Sequence, residues 1–120
     1  MAKPNKTGIA RILKATQYSW QGLLAAWKHE AAFRQELILV LLAVPLAFYL
    51  AESQSELLWL ILPLFLIVIA ELVNSALEAV VDRISDDYHE LSGRAKDIGS
   101  AIVFVSILLM VTIWSIVLYY

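Results

Sequence analysis

Three long stretches without any charged side chain constrain the fold more than any other feature of this sequence. They cover residues 37–51, 57–70 and 98–120. A helix that crosses a bilayer needs about 20 predominantly apolar residues, so the third stretch suffices alone and the first two need flanking residues. The 120-residue chain is 61% hydrophobic, and a domain of this size has too little interior to hide that much apolar surface from water. We therefore predict an all-α integral membrane protein.

The chain is expected to form a single membrane domain, and its N-terminal region lacks the uninterrupted apolar run of a signal peptide. The expected elements are a surface helix over about 7–33, transmembrane helices over 35–51, 57–82 and 97–120, and a cytoplasmic loop over 83–96. The second transmembrane helix is expected to extend into the cytoplasm. Pro45 and Pro63 each remove one intrahelical hydrogen bond, so mild kinks without breaks are expected.

Basic residues are distributed unevenly around the three apolar stretches. Those before the first span include Lys3 and Lys6, and others lie between the second and third spans, whereas none lies between the first and second or after Ile98. Because basic loops stay in the cytoplasm, we predict a cytoplasmic N-terminus and second loop. The C-terminus is then expected on the outer side of the membrane.

The segment before the first span has the pattern of an amphipathic helix. Apolar residues recur at spacings of three and four from Ile9 to Trp27, while Arg11, Lys14 and Lys28 fall on the other side. Such a helix lies in the headgroup layer of a membrane, and the alternative is a helix that packs on the bundle. Both interpretations place Arg11 and Lys14 near lipid phosphates or an anionic ligand.

Polar residues interrupt the second apolar helix on one face. Glu71, Asn74, Ser75, Glu78 and Asp82 share this face at 100° per residue. An ionisable group inside a membrane helix is a functional candidate by default. Counting 1.5 Å per residue from the start of the span places Glu71 near the inner edge of the hydrocarbon and Glu78 in the cytoplasmic headgroup zone. The alternative is that Glu71 and Asn74 hydrogen-bond across an interface between helices.

Two further polar segments lie on the same predicted side of the membrane. Glu30 precedes the first span and could join Glu78 in holding Mg²⁺, which prefers a few carboxylates with phosphate oxygens. The alternative for Glu30 is an ion pair with Arg34 at i, i+4. In the second loop, Lys96 could hold phosphates, and Asp87 and its neighbours could meet a nucleotide, although loop charges are also often only solvated.

Several classes of function are excluded by what the sequence lacks. There is no cysteine, and the net charge of −2 gives no basic field for nucleic acid. The glycine-rich nucleotide motifs and the protein-kinase signature set are also absent. A small proton-coupled multidrug transporter remains an alternative of another class, but it should carry an acidic residue in the middle of the first span, where this chain has none.

The polar segments strongly resemble the prokaryotic diacylglycerol kinase family, from about residue 7 to the C-terminus. The matching pieces are Tyr-Ser-Trp-Gln-Gly-Leu at 18–23, Glu-Ala-Ala-Phe-Arg-Gln-Glu at 30–36, Glu-Leu-Val-Asn-Ser-Ala-Leu-Glu-Ala-Val-Val-Asp at 71–82, and Tyr-His-Glu-Leu-Ser-Gly-Arg-Ala-Lys-Asp at 88–97. This resemblance implies a homotrimer in the bacterial inner membrane, with a periplasmic C-terminus. It also implies transfer of the γ-phosphoryl group of Mg-ATP to the hydroxyl of diacylglycerol. An undecaprenol kinase has a similar scaffold and stays an alternative.

The resemblance also implies roles for individual positions. Glu71 falls at the general base, Asn74 at an active-site asparagine, and Glu30 and Glu78 at the metal ligands, which also meet the nucleotide. Further nucleotide contacts fall at Arg11, Tyr18, Asp87, Tyr88, His89, Lys96 and Asp97. Lipid contacts fall at Arg11, Ser19, Trp20, Arg34, Glu36, Glu71 and Ser100. Asp87 departs from the glutamate expected there, and Pro45 and Pro63 are not part of the family pattern.

Overall fold

The computed structural model describes residues 7–120. Lys3 and Lys6, two of the basic residues that predict the membrane orientation, lie outside the described residues. This part of the chain contains helices and no strand. The helices are α1 (Gly8–His29), α2 (Ala31–Leu50), α3 (Gln54–Ile84) and α4 (Glu90–Tyr119). The last three are long and apolar enough to cross a membrane, which confirms the predicted all-α class with three spans.

Helix α3 forms the centre of the bundle, because it packs against both α2 and α4. Val40 of α2 is buried against Leu64 and Ile67 of α3, and Ile107 and Trp114 of α4 close the cluster. Many large apolar side chains on the outer faces of these helices remain exposed. A single chain in water could not leave so much apolar surface uncovered, whereas lipid can cover it without cost.

The N-terminus of α3 is fixed by its own polar residues. Ser53 Oγ accepts a hydrogen bond from the Glu56 N–H at 3.1 Å. Glu56 Oε2 accepts in turn from the Glu52 N–H at 3.0 Å. The first bond satisfies a backbone donor that the first turn of a helix leaves free, and the second fixes the residue before the N-cap. Together they start α3 at Gln54 rather than at the predicted residue 57.

The connection between α3 and α4 differs from the predicted loop over 83–96. Helix α3 continues to Ile84, and α4 begins at Glu90, seven residues before the predicted start of the third span at 97. His89 is the N-cap of α4, since its Nδ1 accepts a hydrogen bond from the Leu91 N–H at 3.1 Å. The cap lets a polar segment begin the helix, so Lys96 lies on a helix and not in a loop.

The predicted surface helix over 7–33 also differs from the structure, because it is divided at Glu30. This residue has extended backbone angles, φ −118° and ψ 107°, and serves both as C-cap of α1 and as N-cap of α2. The first span therefore begins at Ala31, earlier than the predicted residue 35. The apolar side chains of α1, among them Ile12, Trp20 and Leu24, are exposed, as expected for a face that meets lipid.

Neither internal proline breaks its helix, as predicted: α2 continues through Pro45, and α3 continues through Pro63. A hydrogen bond from α4 reaches the backbone carbonyl of Leu60, three residues before Pro63 in α3. The indole N–H of Trp114 on α4 donates to the Leu60 carbonyl oxygen at 3.0 Å. Pro63 withdraws its donor from the carbonyl of Trp59, and the bond from Trp114 ties the next carbonyl along the chain to α4.

Two helical glycines have opposite surroundings. Gly99 of α4 is buried where α4 approaches α3, and a Cβ placed on it would overlap Asn74 Oδ1. A Cβ on Gly22 of α1 would meet nothing within 4 Å. Gly99 is therefore required for the close approach of the two helices, whereas Gly22 is not required by packing within the described chain.

Trp114→Phe tests the bond between α4 and the proline-containing turn of α3. We expect it to lower the free energy of unfolding by about 1 kcal/mol, because the Leu60 carbonyl loses the bond from α4 while the aromatic packing is largely kept. Reversible unfolding in mixed micelles measures this loss. Trp59→Phe is the matched control, since Trp59 is half exposed on α3. Equal losses in the two variants would contradict the role of the bond.

Gly99→Ala and Gly22→Ala form a second matched pair. Alanine gains up to about 1 kcal/mol over glycine inside a helix, so Gly22→Ala should leave stability equal or higher. Gly99→Ala should be destabilised relative to it by about 1–3 kcal/mol, because the new methyl displaces Asn74. Thermal unfolding in detergent measures the difference, and two variants of the same stability would show that the approach of α4 does not depend on glycine.

Candidate active site

The predicted polar face of α3 changes from buried to exposed along the helix. Glu71 is 3% exposed, and Asn74 and Ser75 are each 8% exposed. One to two turns further, Glu78 is half-buried and Asp82 is exposed. This burial arises within one chain, from the packing of α2 and α4 on α3. The face therefore joins an enclosed, apolar environment to an open, aqueous one.

Carboxylates from three parts of the chain converge on this face. Glu36 of α2 and Glu30 of the α1–α2 junction lie near enough to Glu71 to interact with it electrostatically, as does Glu78. Burial raises the pKa of Glu30, and the nearby carboxylates of Glu78 and Asp82 raise it further, whereas His29 acts in the opposite direction. The convergence leaves negative charge that the described part of the chain does not fully compensate.

The donor set fits a magnesium ion that arrives with a phosphate. Within residues 7–120, no group of three or more histidine, cysteine, aspartate or glutamate side chains is arranged to hold a metal alone. Mg²⁺ commonly uses only one or two carboxylates and takes its other ligands from waters and phosphate oxygens. Glu30 and Glu78 interact electrostatically and could supply the two carboxylates.

A cation, Arg34, ties the two helices together at the Glu30 junction. Arg34 Nη1 donates to the carbonyl oxygens of Trp27 at 2.7 Å and of Lys28 at 3.3 Å. These carbonyls belong to the last turn of α1, where helical partners are missing. Arg34 thus ties the end of α1 to the start of α2, and this bonding takes the place of the alternative ion pair with Glu30.

A small cavity lies at the exposed end of the face, between the end of α3 and the start of α4. Its volume is about 240 Å³, and its lining includes Asp82, Asp87, Tyr88, His89 and Lys96. Lys96 Nζ lies 2.7 Å from Asp82 Oδ1, and both side chains are about half exposed. Four of the residues predicted to contact a nucleotide are therefore brought to one cavity, with a cation and a carboxylate at its wall.

A larger groove of about 660 Å³ lies between α1 and α3. Small and apolar residues such as Gly22, Ala26 and Ala76 form much of its lining, and Ser19, Glu30 and Ser75 also line it. Its shape and composition suit hydrocarbon or the apolar part of a lipid. Glu30 stands at this groove and interacts with Glu78, so it connects the apolar groove with the carboxylates.

Other predicted site residues are not brought to these two cavities. Arg11, Trp20, Asp97 and Ser100 are exposed and line neither of them. Tyr18 is partly buried on α1. Sequence reasoning gave no role to Ser75, although it lay on the predicted polar face. It also missed His29, although this residue adjoins Glu30 in the sequence. For Gly99 the sequence carries no signal, because its importance depends on Asn74 of the facing helix.

Comparison with known proteins identifies the family of this chain. The family model described as prokaryotic diacylglycerol kinase matches residues 17–118. The diacylglycerol kinase of Escherichia coli strain K12 is 55% identical over 115 residues, which cover 96% of this chain and 94% of that protein. Those of Pseudomonas aeruginosa and Haemophilus influenzae are 47% identical over 113 residues (94% and 92% of the two chains) and 45% identical over 114 (95% and 97%). The chain belongs to the prokaryotic diacylglycerol kinase family.

Proposed function

We propose that this protein is an ATP-dependent diacylglycerol kinase, which transfers the γ-phosphoryl group of ATP to the free hydroxyl of diacylglycerol and so forms phosphatidic acid. The relatives that carry this name match nearly the whole chain. The observation that carries the proposal is the buried carboxylate of Glu71, which stands beside a cluster of carboxylates at the boundary between apolar and aqueous surroundings. A membrane-bound alcohol and a soluble phosphate donor could meet at such a boundary.

On the lipid side, Glu71 acts as the general base. The acceptor hydroxyl loses its proton to the Glu71 carboxylate while its oxygen attacks the γ-phosphorus and ADP leaves. The side-chain amide of Asn74 interacts with this carboxylate and holds it in position. Because both side chains are buried, water is kept away from the reacting atoms, which disfavours hydrolysis of ATP. Lipid contacts are proposed at Arg11, Ser19, Trp20, Arg34, Glu36 and Ser100.

On the nucleotide side, the cavity at the start of α4 receives ATP. Lys96 supplies a cation for phosphate oxygens once it turns from Asp82, and Asp87, Tyr88 and His89 line the rest. Glu30 and Glu78 hold Mg²⁺, which neutralises charge on the phosphates when bound. Further nucleotide contacts are proposed at Arg11, Tyr18 and Asp97.

We further propose how the enzyme is oriented in its membrane and how its copies assemble. The N-terminus and the connection between α3 and α4 face the cytoplasm of a bacterium, the C-terminus faces the periplasm, and the helices lie in the inner membrane. Three copies assemble into a trimer with composite sites at their contacts. The broad apolar faces that one chain leaves exposed on α2 and α4 support both lipid contact and contact between copies.

Glu71→Gln tests the proposed general base. The amide keeps the size of the side chain but cannot accept the hydroxyl proton, so the rate of phosphatidic acid formation should fall by about 10²-fold or more. Assembly in detergent should stay unchanged. The measurement is ADP release in mixed micelles of diacylglycerol, with Glu52→Gln as control, because Glu52 is exposed and lies just before α3, at the end far from the site. A Glu71→Gln enzyme with the normal rate would refute the role.

Glu78→Gln and Glu30→Gln test the proposed metal ligands. Each removes a charge-assisted contact, so the Mg²⁺ concentration for half-maximal rate should rise by about 10-fold or more at fixed ATP. Glu52→Gln should leave this concentration unchanged. If both variants lower only the maximal rate and keep the magnesium dependence of the parent, the two glutamates do not bind the ion.

A further inference from the structure

Ser75 has a buried hydroxyl without a hydrogen-bond partner in the described structure. The other buried serine within residues 7–120, Ser106, donates to the Val103 carbonyl oxygen of its own helix at 2.6 Å. Exposed Thr16 and Thr112 do the same with the carbonyls of Ile12 and Leu108. A helical hydroxyl ordinarily has this option, so Ser75 differs from Ser106, the other buried serine of the described residues, in leaving it unused.

An unpaired hydroxyl in an apolar environment is expensive. Leaving a buried donor or acceptor unsatisfied costs about 1–3 kcal/mol, and Ser75 is 92% buried by its own chain, since its exposed fraction is 8%. Assembly with other copies cannot reduce this burial. A polar group that remains unpaired after folding indicates a partner that binds later.

The position of Ser75 indicates what this partner is. Ser75 lies in the wall of the groove between α1 and α3, among residues such as Leu72, Ala76 and Ala79 that offer hydrocarbon surface. It follows Glu71 by one helical turn, about 6 Å along the axis. The hydroxyl of Ser19, which also lines the groove, already donates to the Ala15 carbonyl oxygen at 2.9 Å. Ser75 therefore supplies a free donor on the α3 side of the groove.

We propose that the Ser75 hydroxyl donates a hydrogen bond to an ester carbonyl of the acceptor lipid, and that it makes the enzyme selective for glycerol esters. This inference rests on the proposed function, in which the free hydroxyl of diacylglycerol lies at Glu71. In diacylglycerol the carbon next to the hydroxyl-bearing carbon carries an ester. With the hydroxyl at Glu71, that ester falls within about one helical turn, which is the offset of Ser75.

The selectivity follows from what the groove offers to other alcohols. A diether lipid of the same chain length fills the apolar groove equally well, but it has no carbonyl oxygen to accept from Ser75. When the diether binds, the Ser75 hydroxyl stays unpaired, so binding of the diester is favoured by the free energy of one hydrogen bond. The phosphate side of the reaction is not affected, because Ser75 does not line the cavity at the start of α4.

The test compares 1,2-diacylglycerol with a 1,2-dialkylglycerol of matched chains in mixed micelles. The parent enzyme should have a kcat/KM about 5- to 10-fold higher for the diester. Ser75→Ala should lose this preference because its kcat/KM for the diester falls. Its kcat/KM for the diether and its KM for ATP should stay unchanged. Ser106→Ala is the matched control, because its buried hydroxyl is satisfied within α4, and it should keep the parental preference.

Two results would overturn the inference: a Ser75→Ala enzyme that keeps the preference for the diester, or one that loses rate equally on both lipids. The rate on the diether shows that the variant is folded. If Ser75→Ala cannot be produced, Ser75→Cys, whose thiol is a weak donor, should reduce the preference, and an unaltered preference would again overturn it. Failure of the proposed function is recognised separately, since the parent enzyme would then phosphorylate neither lipid.

Discussion

The burial of Glu71 on α3 is the constraint on which the rest of the structure depends. A carboxylate in an apolar environment is costly unless neighbours stabilise it, and α3 is the helix that both α2 and α4 cover. Asn74, which is packed against Gly99 of α4, hydrogen-bonds to Glu71 and stabilises its carboxylate, whereas the carboxylate of Glu36 on α2 lies close by and repels it. The packing that forms the apolar core therefore also places the polar face, so stability and site geometry rest on the same helix contacts.

Two local features, the junction at Glu30 and the cap at His89, position the residues at the two ends of the polar face. At Glu30 the chain leaves the helical conformation, and Arg34 holds the end of α1 against the start of α2. At the other end, the His89 cap starts α4 immediately after a short connection, which places Lys96 opposite Asp82. The groove beside α1 and the cavity beside α4 thus lie along one polar face, and the proposed lipid and nucleotide approach it from different phases.

Most of the fold and much of the site could be predicted from the lengths of the uncharged runs and from the helical spacing of the polar residues. Uncharged runs predicted the three spans, and the spacing from Glu71 to Asp82 predicted a shared face, because both properties are local to a helix. The start of α4 was predicted too late, since an imidazole at His89 was not recognised as a cap. The break at Glu30 is local, because Arg34 holds it from four residues away, but it was not recognised as a helix end. The packing of Asn74 against Gly99 and the unpaired hydroxyl of Ser75 depend on residues distant in sequence, so no local pattern predicts them. The trimer and the membrane orientation stay predictions.

The central claim is that the polar face of α3 crosses the boundary between hydrocarbon and cytoplasm. The chain contains no cysteine, so single cysteines at positions 52, 71 and 82 can be labelled with a membrane-impermeant thiol reagent in sealed vesicles of either orientation. The account predicts that position 82 reacts from the cytoplasmic side, that position 52 reacts from the opposite side, and that position 71 is protected from both. Reaction of positions 52 and 82 from the same side, or free reaction at position 71, would contradict it.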